Sequence, residues 1–191
     1  MSSSRSATEL LPLIRRDEAV LLPTDTVPAL AIQPIAAARV WELKRRPADK
    51  PLILMAADLN QLRTALSVPW LDPWLLEAER VWPGAVTLVL PIAGALQRRL
   101  NPGGTSLGMR VPACPMTQAL LRLSGPLATT SVNLSGEPPA LTAEQAHRMF
   151  PALPLLGPLP WPPGSGIPSE VREWDQDRWT VLRPMSPTPV P

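Results

Sequence analysis

Five apolar runs, each too short to form a helix of ordinary length, set the outline of this chain: AVLL at 19–22, PLILMA at 51–56, VTLVLP at 86–91, LGMRV at 107–111 and PLATTS at 126–131. Runs of this length, bounded by proline or small polar residues, fit buried strands. The segments between them carry apolar residues at helical spacing, as in Leu10, Leu11 and Ile14 and again in Ala37, Val40, Trp41 and Leu43. This predicts helices over 8–16, 36–45, 59–66, 73–81 and 115–123, with one more opened by Thr142 as N-cap and supported by Gln145 three residues on. Strands and helices alternating in this way point to an α/β sheet.

At 191 residues the chain is long enough for one well-buried domain. From Pro151 prolines and glycines crowd PALPLLGPLPWPPGSGIP, which predicts loop or extended chain because proline offers no N–H. Beyond it, 169–174 and 179–184 read as two short strands around the turn DQD, returning the chain to the edge of the body. The domain is therefore expected to span 1–184, with a disordered proline-rich tail over 185–191.

Several function classes fall away. No apolar run approaches the roughly 20 residues that cross a bilayer, and the N-terminus carries no secretory pattern, so a soluble cytoplasmic protein without membrane association is expected. With one cysteine, Cys114, and one histidine, His147, neither an intrachain disulfide nor a thiolate-imidazole metal cage is available, and no metal site is read. Cys114 is read as inert and His147 as a surface or packing residue. A formal charge of +2 argues against a dedicated nucleic-acid binder, although a local patch suffices to touch RNA.

The chemistry-bearing residues gather where predicted strands meet loops, the usual place for ligands in open α/β sheets. Thr24, Asp25 and Thr26 follow Pro23, as either a turn or a ligand contact. Lys44, Arg45, Arg46 and Lys50 form either a solvated helix end or a clamp on a polyanion such as triphosphate. Arg110 interrupts an apolar strand, pointing either to solvent or into a cleft as a carboxylate or phosphate anchor. Thr129, Thr130, Ser131, Asn133 and Ser135 bury little apolar surface and suit a polar ligand. Ser131 and Asn133 lie one strand period apart and are expected to project to the same side.

In their order and spacing, PTDTV at 23–27, KRRPADKPLILMAA at 44–57, WPGAVTLVLP at 82–91, MRVP at 109–112, TTSVNLSGEPP at 129–139 and PSEVRE at 168–173 resemble the YrdC-like family of L-threonylcarbamoyladenylate synthases. The resemblance covers residues 8–184. It implies a single twisted α/β domain with a mixed sheet and flanking helices around a large cationic cavity. It further implies a nucleotidyltransferase that condenses L-threonine, bicarbonate and ATP into threonylcarbamoyl-AMP, releases pyrophosphate and feeds t6A modification of tRNA. Mg²⁺ would accompany ATP. The implied partners are contact with tRNA or double-stranded RNA and a transient tRNA-modifying protein complex.

Carried over residue by residue, the resemblance makes Lys44 and Arg46 the catalytic phosphate-handling cations. Thr24, Arg110 and Thr130 would bind threonine or its carbamate. Lys50, Ser131, Asn133, Ser169 and Arg183 would bind the nucleotide, the last two closing over it. The sequence departs from the family pattern at Pro28, Ala29 and Ala31, where an aromatic and two glycines are usual. A methyl at Ala29 would thicken the pocket floor, and Pro28 would remove a donor and an aromatic wall. A second expectation follows, that of a non-catalytic or altered-specificity paralogue that binds nucleotide or RNA.

Overall fold

The structure, a computed structural model, describes residues 4–45, 47 and 50–186. Its elements in chain order are β1 (Ser4–Arg5), α1 (Ala7–Ile14), β2 (Val20–Leu22), β3 (Ala29–Ile32), a 3-10 turn (Pro34–Ala36), α2 (Ala38–Leu43), β4 (Ile53–Met55), α3 (Leu59–Leu66) and α4 (Asp72–Val81). There follow β5 (Val86–Leu90), α5 (Ala95–Leu100), β6 (Leu107–Arg110), α6 (Pro115–Ser124), β7 (Leu127–Ser131), α7 (Ala143–Met149), β8 (Leu155–Leu156), β9 (Glu170–Asp175) and β10 (Arg178–Arg183). Among the described residues these strands form one mixed sheet in the order β1-β8-β2-β3-β7-β4-β6-β5-β9-β10. The α/β class expected from the alternation of runs is the observed one.

Local chemistry accounts for where helices begin. Ser6 caps α1 with a reciprocal box, its hydroxyl accepting from the Glu9 N–H at 3.3 Å while the Ser6 N–H donates to Glu9 Oε2 at 2.8 Å. Asp58 accepts from the Gln61 N–H at 2.8 Å to start α3, and Thr142 from the Gln145 N–H at 3.2 Å to start α7, as its spacing predicts.

Besides the two-residue β1, three elements escape the sequence reading. β3 is the alanine-rich ALAI directly after a turn-like TDTVP, so its strand propensity is weak and its pairing with β2 and β7 decides its conformation. The two-residue β8 sits between prolines and pairs with β1 and β2 through Leu155 and Leu156. The six-residue α5 follows Gly94 and shows barely more than one turn of periodicity.

The sheet is covered unequally on its two faces. On one, Leu30, Leu54, Leu88, Met109 and Ala128 meet helix residues such as Val40, Trp41, Leu62, Trp74, Ala78 and Phe150 in the larger core. On the other, α1 and α6 cover the region around β2, β3 and the start of β7, through Leu10, Leu13, Ile14, Leu120 and Leu121 against Val20, Leu22, Ala31 and Leu127. Among the described residues, no helix beyond that smaller core contributes a buried partner to β5 or β9 on this face. An uncovered sheet face flanked by loops is where a ligand can reach the strands.

The C-terminal hairpin completes that region. β9 adds in parallel to β5, and β10 folds back across a turn in which Gln176 and Asp177 both have positive φ, 47° and 60°. On the outer face, Glu77 of α4 accepts from Arg80 at 2.9 and 2.7 Å and from Arg172 of β9, which also donates to Glu170. The Arg80 guanidinium holds the Glu77 carboxyl below the usual carboxylate range. With Glu170 and Arg172 tied to α4, strand alternation turns Val171 and Glu173 to the uncovered face.

Candidate active site

A cavity of about 520 Å³ occupies the uncovered part of the sheet. Register explains its lining. Ala29 lies opposite Ser131, Ile53 opposite both Thr129 and Gly108, Met55 opposite Arg110, and Thr87 opposite Val171. Residues directly opposed across strands share a face, so these side chains converge on one surface.

The 23–27 loop forms one wall. Thr24, 4% exposed, donates its hydroxyl to the Val27 carbonyl at 2.7 Å and accepts from the Thr26 N–H at 3.0 Å. Because the Thr24 proton is spent on Val27, the Thr24–Thr26 hydroxyl contact at 2.9 Å has Thr26 as donor. Thr26 Oγ1 in turn accepts from Arg110 Nη1 at 2.8 Å. Arg110 also donates Nη2 to Asp25 Oδ1 at 2.8 Å and Nε to the Gly84 carbonyl at 2.9 Å, and Asp25 Oδ1 takes the Ala113 N–H as well. Of the two readings of Arg110, the cleft-facing one is therefore realised. Gly84 lies in the turn braced by buried Trp82, whose indole N–H donates to the Val86 carbonyl at 2.7 Å.

The proline-rich segment seals this loop from behind. The Ser165 N–H donates to the Asp25 carbonyl and the Gly166 N–H to the Thr26 carbonyl, both at 3.0 Å. Gly164 passes so close that a Cβ there would stand 2.3 Å from the Thr26 carbonyl oxygen and 2.8 Å from that of Thr24. Both obstacles are backbone. Gly164→Ala is accordingly expected to displace the loop at a cost of about 1–3 kcal/mol, read as a lowered urea midpoint. An unchanged midpoint would show that the loop yields freely.

Ser169 and Arg183 meet on the opposite wall. Arg183 donates Nε and Nη2 to the Ser169 carbonyl at 3.1 and 2.8 Å, while the Ser169 and Thr87 hydroxyls are 2.9 Å apart. Burial depresses the Arg183 pKa, and no carboxylate of a described residue lies within ion-pair distance of it. Burial also lowers Arg110 against the pull of Asp25, and the positive charge of Arg183 adds to that lowering. Two part-desolvated guanidiniums therefore face one cavity; Arg110 is already paired with Asp25, and Arg183, without a carboxylate partner among the described residues, is the one suited to an anion.

The remaining predicted residues lie at its margin. Lys44, fully buried at the end of α2, reaches Asn133 Oδ1 at 2.9 Å, Thr130 Oγ1 at 3.4 Å and the Ser131 carbonyl. Ser131 and Asn133 do turn to one another, with the Ser131 hydroxyl donating to Asn133 Oδ1 at 2.6 Å. The Asn133 amide N–H groups go to the Leu134 and Glu137 carbonyls. Ser131 and Thr130 line the cavity, whereas Lys44, Lys50 and Asn133 are outside its lining. Lys50 is exposed and its carbonyl accepts from Trp41 Nε1. Arg46, and residues 187–191 of the expected tail, lie outside the described residues.

Thr26, read above as a turn or a ligand contact, also builds the site, as do Thr87, Gly164 and Glu173, which are absent from the predicted set. For Thr87 the signal was a polar residue in an otherwise apolar strand, the one that singles out Arg110; β9 is charged along its length and gave none for Glu173. For Gly164 there was none, because its closeness to Thr24 and Thr26 is long-range. Of the departures, Pro28 and Ala29 stand on the cavity wall, while Ala31 is buried in the smaller core. No cluster of three or more His, Cys, Asp or Glu side chains occurs among the described residues, and no described helix is long and apolar enough to cross a membrane.

Comparison with known proteins gives this geometry its context. The sequence profile of the Sua5/YciO/YrdC family, described as telomere recombination, matches residues 12–184. A threonylcarbamoyl-AMP synthase of Bacillus subtilis is 38% identical over 181 residues, covering 90% of this chain and 51% of that protein. One of Escherichia coli O6:H1 is 36% identical over 175 residues, covering 85% and 88% respectively. P. abyssi Sua5 complexed with L-threonine superposes with a TM-score of 0.85 at 30% identity, over 93% of this chain and 53% of that one. The chain thus spans about half the length of the B. subtilis and P. abyssi proteins and most of the E. coli one.

Proposed function

Because this chain belongs to the Sua5/YciO/YrdC family, we propose that it is a threonylcarbamoyl-AMP synthase, serving t6A modification of tRNA. The threonine amine and bicarbonate form a carbamate with loss of water. A carbamate oxygen then attacks the α-phosphorus of ATP, and the bond to the departing pyrophosphate breaks. Such a step needs positioning and charge neutralisation rather than a side-chain nucleophile.

The observation that carries the reading is the pairing of Arg110 and Arg183 across one hydroxyl-lined cavity of about 520 Å³, a size in the usual range for small-ligand sites. Arg110 has donated three of the five N–H groups of a guanidinium to protein acceptors, which fixes it and leaves η N–H groups for substrate. With Thr24 and Thr130 it serves the threonine or carbamate. Ser131, Asn133, Ser169 and Arg183 serve the nucleotide, with Lys44, Arg46 and Lys50 as the cations of the phosphate side. Mg²⁺ is expected to arrive with ATP, held largely by the phosphates and water. Contact with tRNA, a transient modifying complex and a cytoplasmic location belong to the same proposal.

A second reading rests on Pro28 and Ala29, which stand on the cavity wall where the family pattern is more open. It keeps the mechanism and changes the amino acid. One experiment separates the two: pyrophosphate release with ATP and bicarbonate, scanned across amino acids. Release dependent on threonine alone is the expected result; release with another amino acid selects the second reading. Silence across the scan would overturn both.

A further inference from the structure

Thr87 closes the run WPGAVT and stands in a strand otherwise apolar. It is 2% exposed and Ser169 is 6% exposed, yet both line the cavity. Their hydroxyl oxygens are 2.9 Å apart, and neither hydroxyl has a further hydrogen-bond partner among the described residues. Two hydroxyls carry two protons, and their mutual bond uses one. Whichever oxygen accepts, one O–H is left unspent in nearly full burial, where an unmade hydrogen bond is costly.

The surroundings of that proton identify its acceptor. Val171 of β9 has Thr87 opposite it on β5 and, after the register shift beyond Val181, Arg183 opposite it on β10. Residues opposed in this way share a face, here the cavity face. From there the Arg183 guanidinium turns back along β9 to the Ser169 carbonyl, to which it gives Nε and Nη2 at 3.1 and 2.8 Å. Hydroxyl and guanidinium therefore meet at one residue, Ser169. Nη1 and the second N–H of Nη2 remain unspent, and no carboxylate of a described residue lies within ion-pair distance of Arg183. Donors that converge in this way, one set of them charged, suit an acceptor-rich anion such as a phosphate group.

We infer that Thr87 is a positioning residue of the nucleotide site: its hydroxyl holds that of Ser169 so that an O–H is presented, beside the Arg183 guanidinium, to a phosphate oxygen of the nucleotide. A mere pin between β5 and β9 would stabilise the fold and favour no ligand. The inference rests on the synthase reading, which supplies the nucleotide.

Calorimetric titration of the full chain with ATP and, separately, with L-threonine tests it, in the wild type, Thr87→Val, Thr87→Ser, Ser169→Ala and the double variant of Thr87→Val with Ser169→Ala. Valine keeps the shape of threonine without the hydroxyl, so ATP affinity is expected to fall by about 10-fold, the worth of a hydrogen bond to a charged group, while threonine affinity holds. Thr87→Ser, which keeps the hydroxyl, is expected to recover most of that loss. Because Thr87 acts through Ser169, Ser169→Ala is expected to lose at least as much, and the double variant no more than Ser169→Ala alone. Thr87→Ala gives the same reading if the valine variant does not fold. A Thr87→Val protein that binds ATP within about twofold of the wild type would overturn the inference and leave the synthase reading standing. So would an equal loss of threonine affinity, the mark of a structural pin, or losses that add in the double variant. A wild type that binds no ATP would overturn both.

Discussion

Arg110→Ala is expected to lower the rate of pyrophosphate release by about 100-fold or more and to destabilise the fold by about 3 kcal/mol. The stability loss follows from what Arg110 leaves behind. The residue is 3% exposed and its guanidinium serves the Thr26 hydroxyl, the Asp25 carboxylate and the Gly84 carbonyl at once. Alanine strips the donor from all three and leaves Asp25, its side chain only 17% exposed, with the Ala113 N–H as its remaining donor. The rate loss follows from the cavity, because the same guanidinium aligns the 23–27 loop and supplies positive charge on that wall. Arg110→Lys separates the two effects. An ammonium keeps the charge but cannot span three acceptors in a fixed fork, so stability is expected to recover in part and activity hardly at all. Urea melts and the pyrophosphate assay check this; an Arg110→Ala protein retaining half its activity would sink the account.

Much of this fold can be read from local pattern, and the limits of that reading are physical. The runs PLILMA and VTLVLP become β4 and β5 because burial suits short, almost wholly apolar runs between breakers. Thr142 and Gln145 announce α7 because a cap is a local bond. β3 and β8 were invisible since their conformation is decided by partners, Ser131 and Thr129 for β3, and the edges of β1 and β2 for β8. The site divides in the same way. Arg110 and Ser131 stand out as polar residues at strand ends, whereas Gly164 acquires its meaning only when the proline-rich segment is laid against the carbonyls of Thr24 and Thr26. The hairpin itself was legible as two short strands around DQD, whereas the roles of Ser169 and Arg183 in it came only from the family motifs.

Lys44 is where composition and geometry differ most in what they suggest, and Lys44→Met is the sharpest way to weigh them. A cluster of cations reads as a clamp on phosphate, yet the Lys44 side chain is fully buried against the 130–133 segment, and its own carbonyl accepts the Ser135 N–H at 3.1 Å. Methionine fills much of the same volume, so packing is largely preserved. What is lost is a donor to Asn133 Oδ1, Thr130 Oγ1 and the Ser131 carbonyl. Leaving such buried acceptors short costs about 2–3 kcal/mol in stability. The larger effect is expected on catalysis, because Thr130 and Ser131 belong to the cavity wall and a displacement of about 1 Å suffices for a 100-fold loss. A double-mutant cycle with Asn133→Ala tells scaffold from clamp. If Lys44 acts by holding this segment, the pair is strongly non-additive and the double variant is little worse than Lys44→Met alone. If it acts directly on phosphate, the losses in Lys44→Met and Asn133→Ala are independent and add. Unchanged activity and stability in Lys44→Met would remove both accounts, and with them the reason to expect a buried cation beneath this wall.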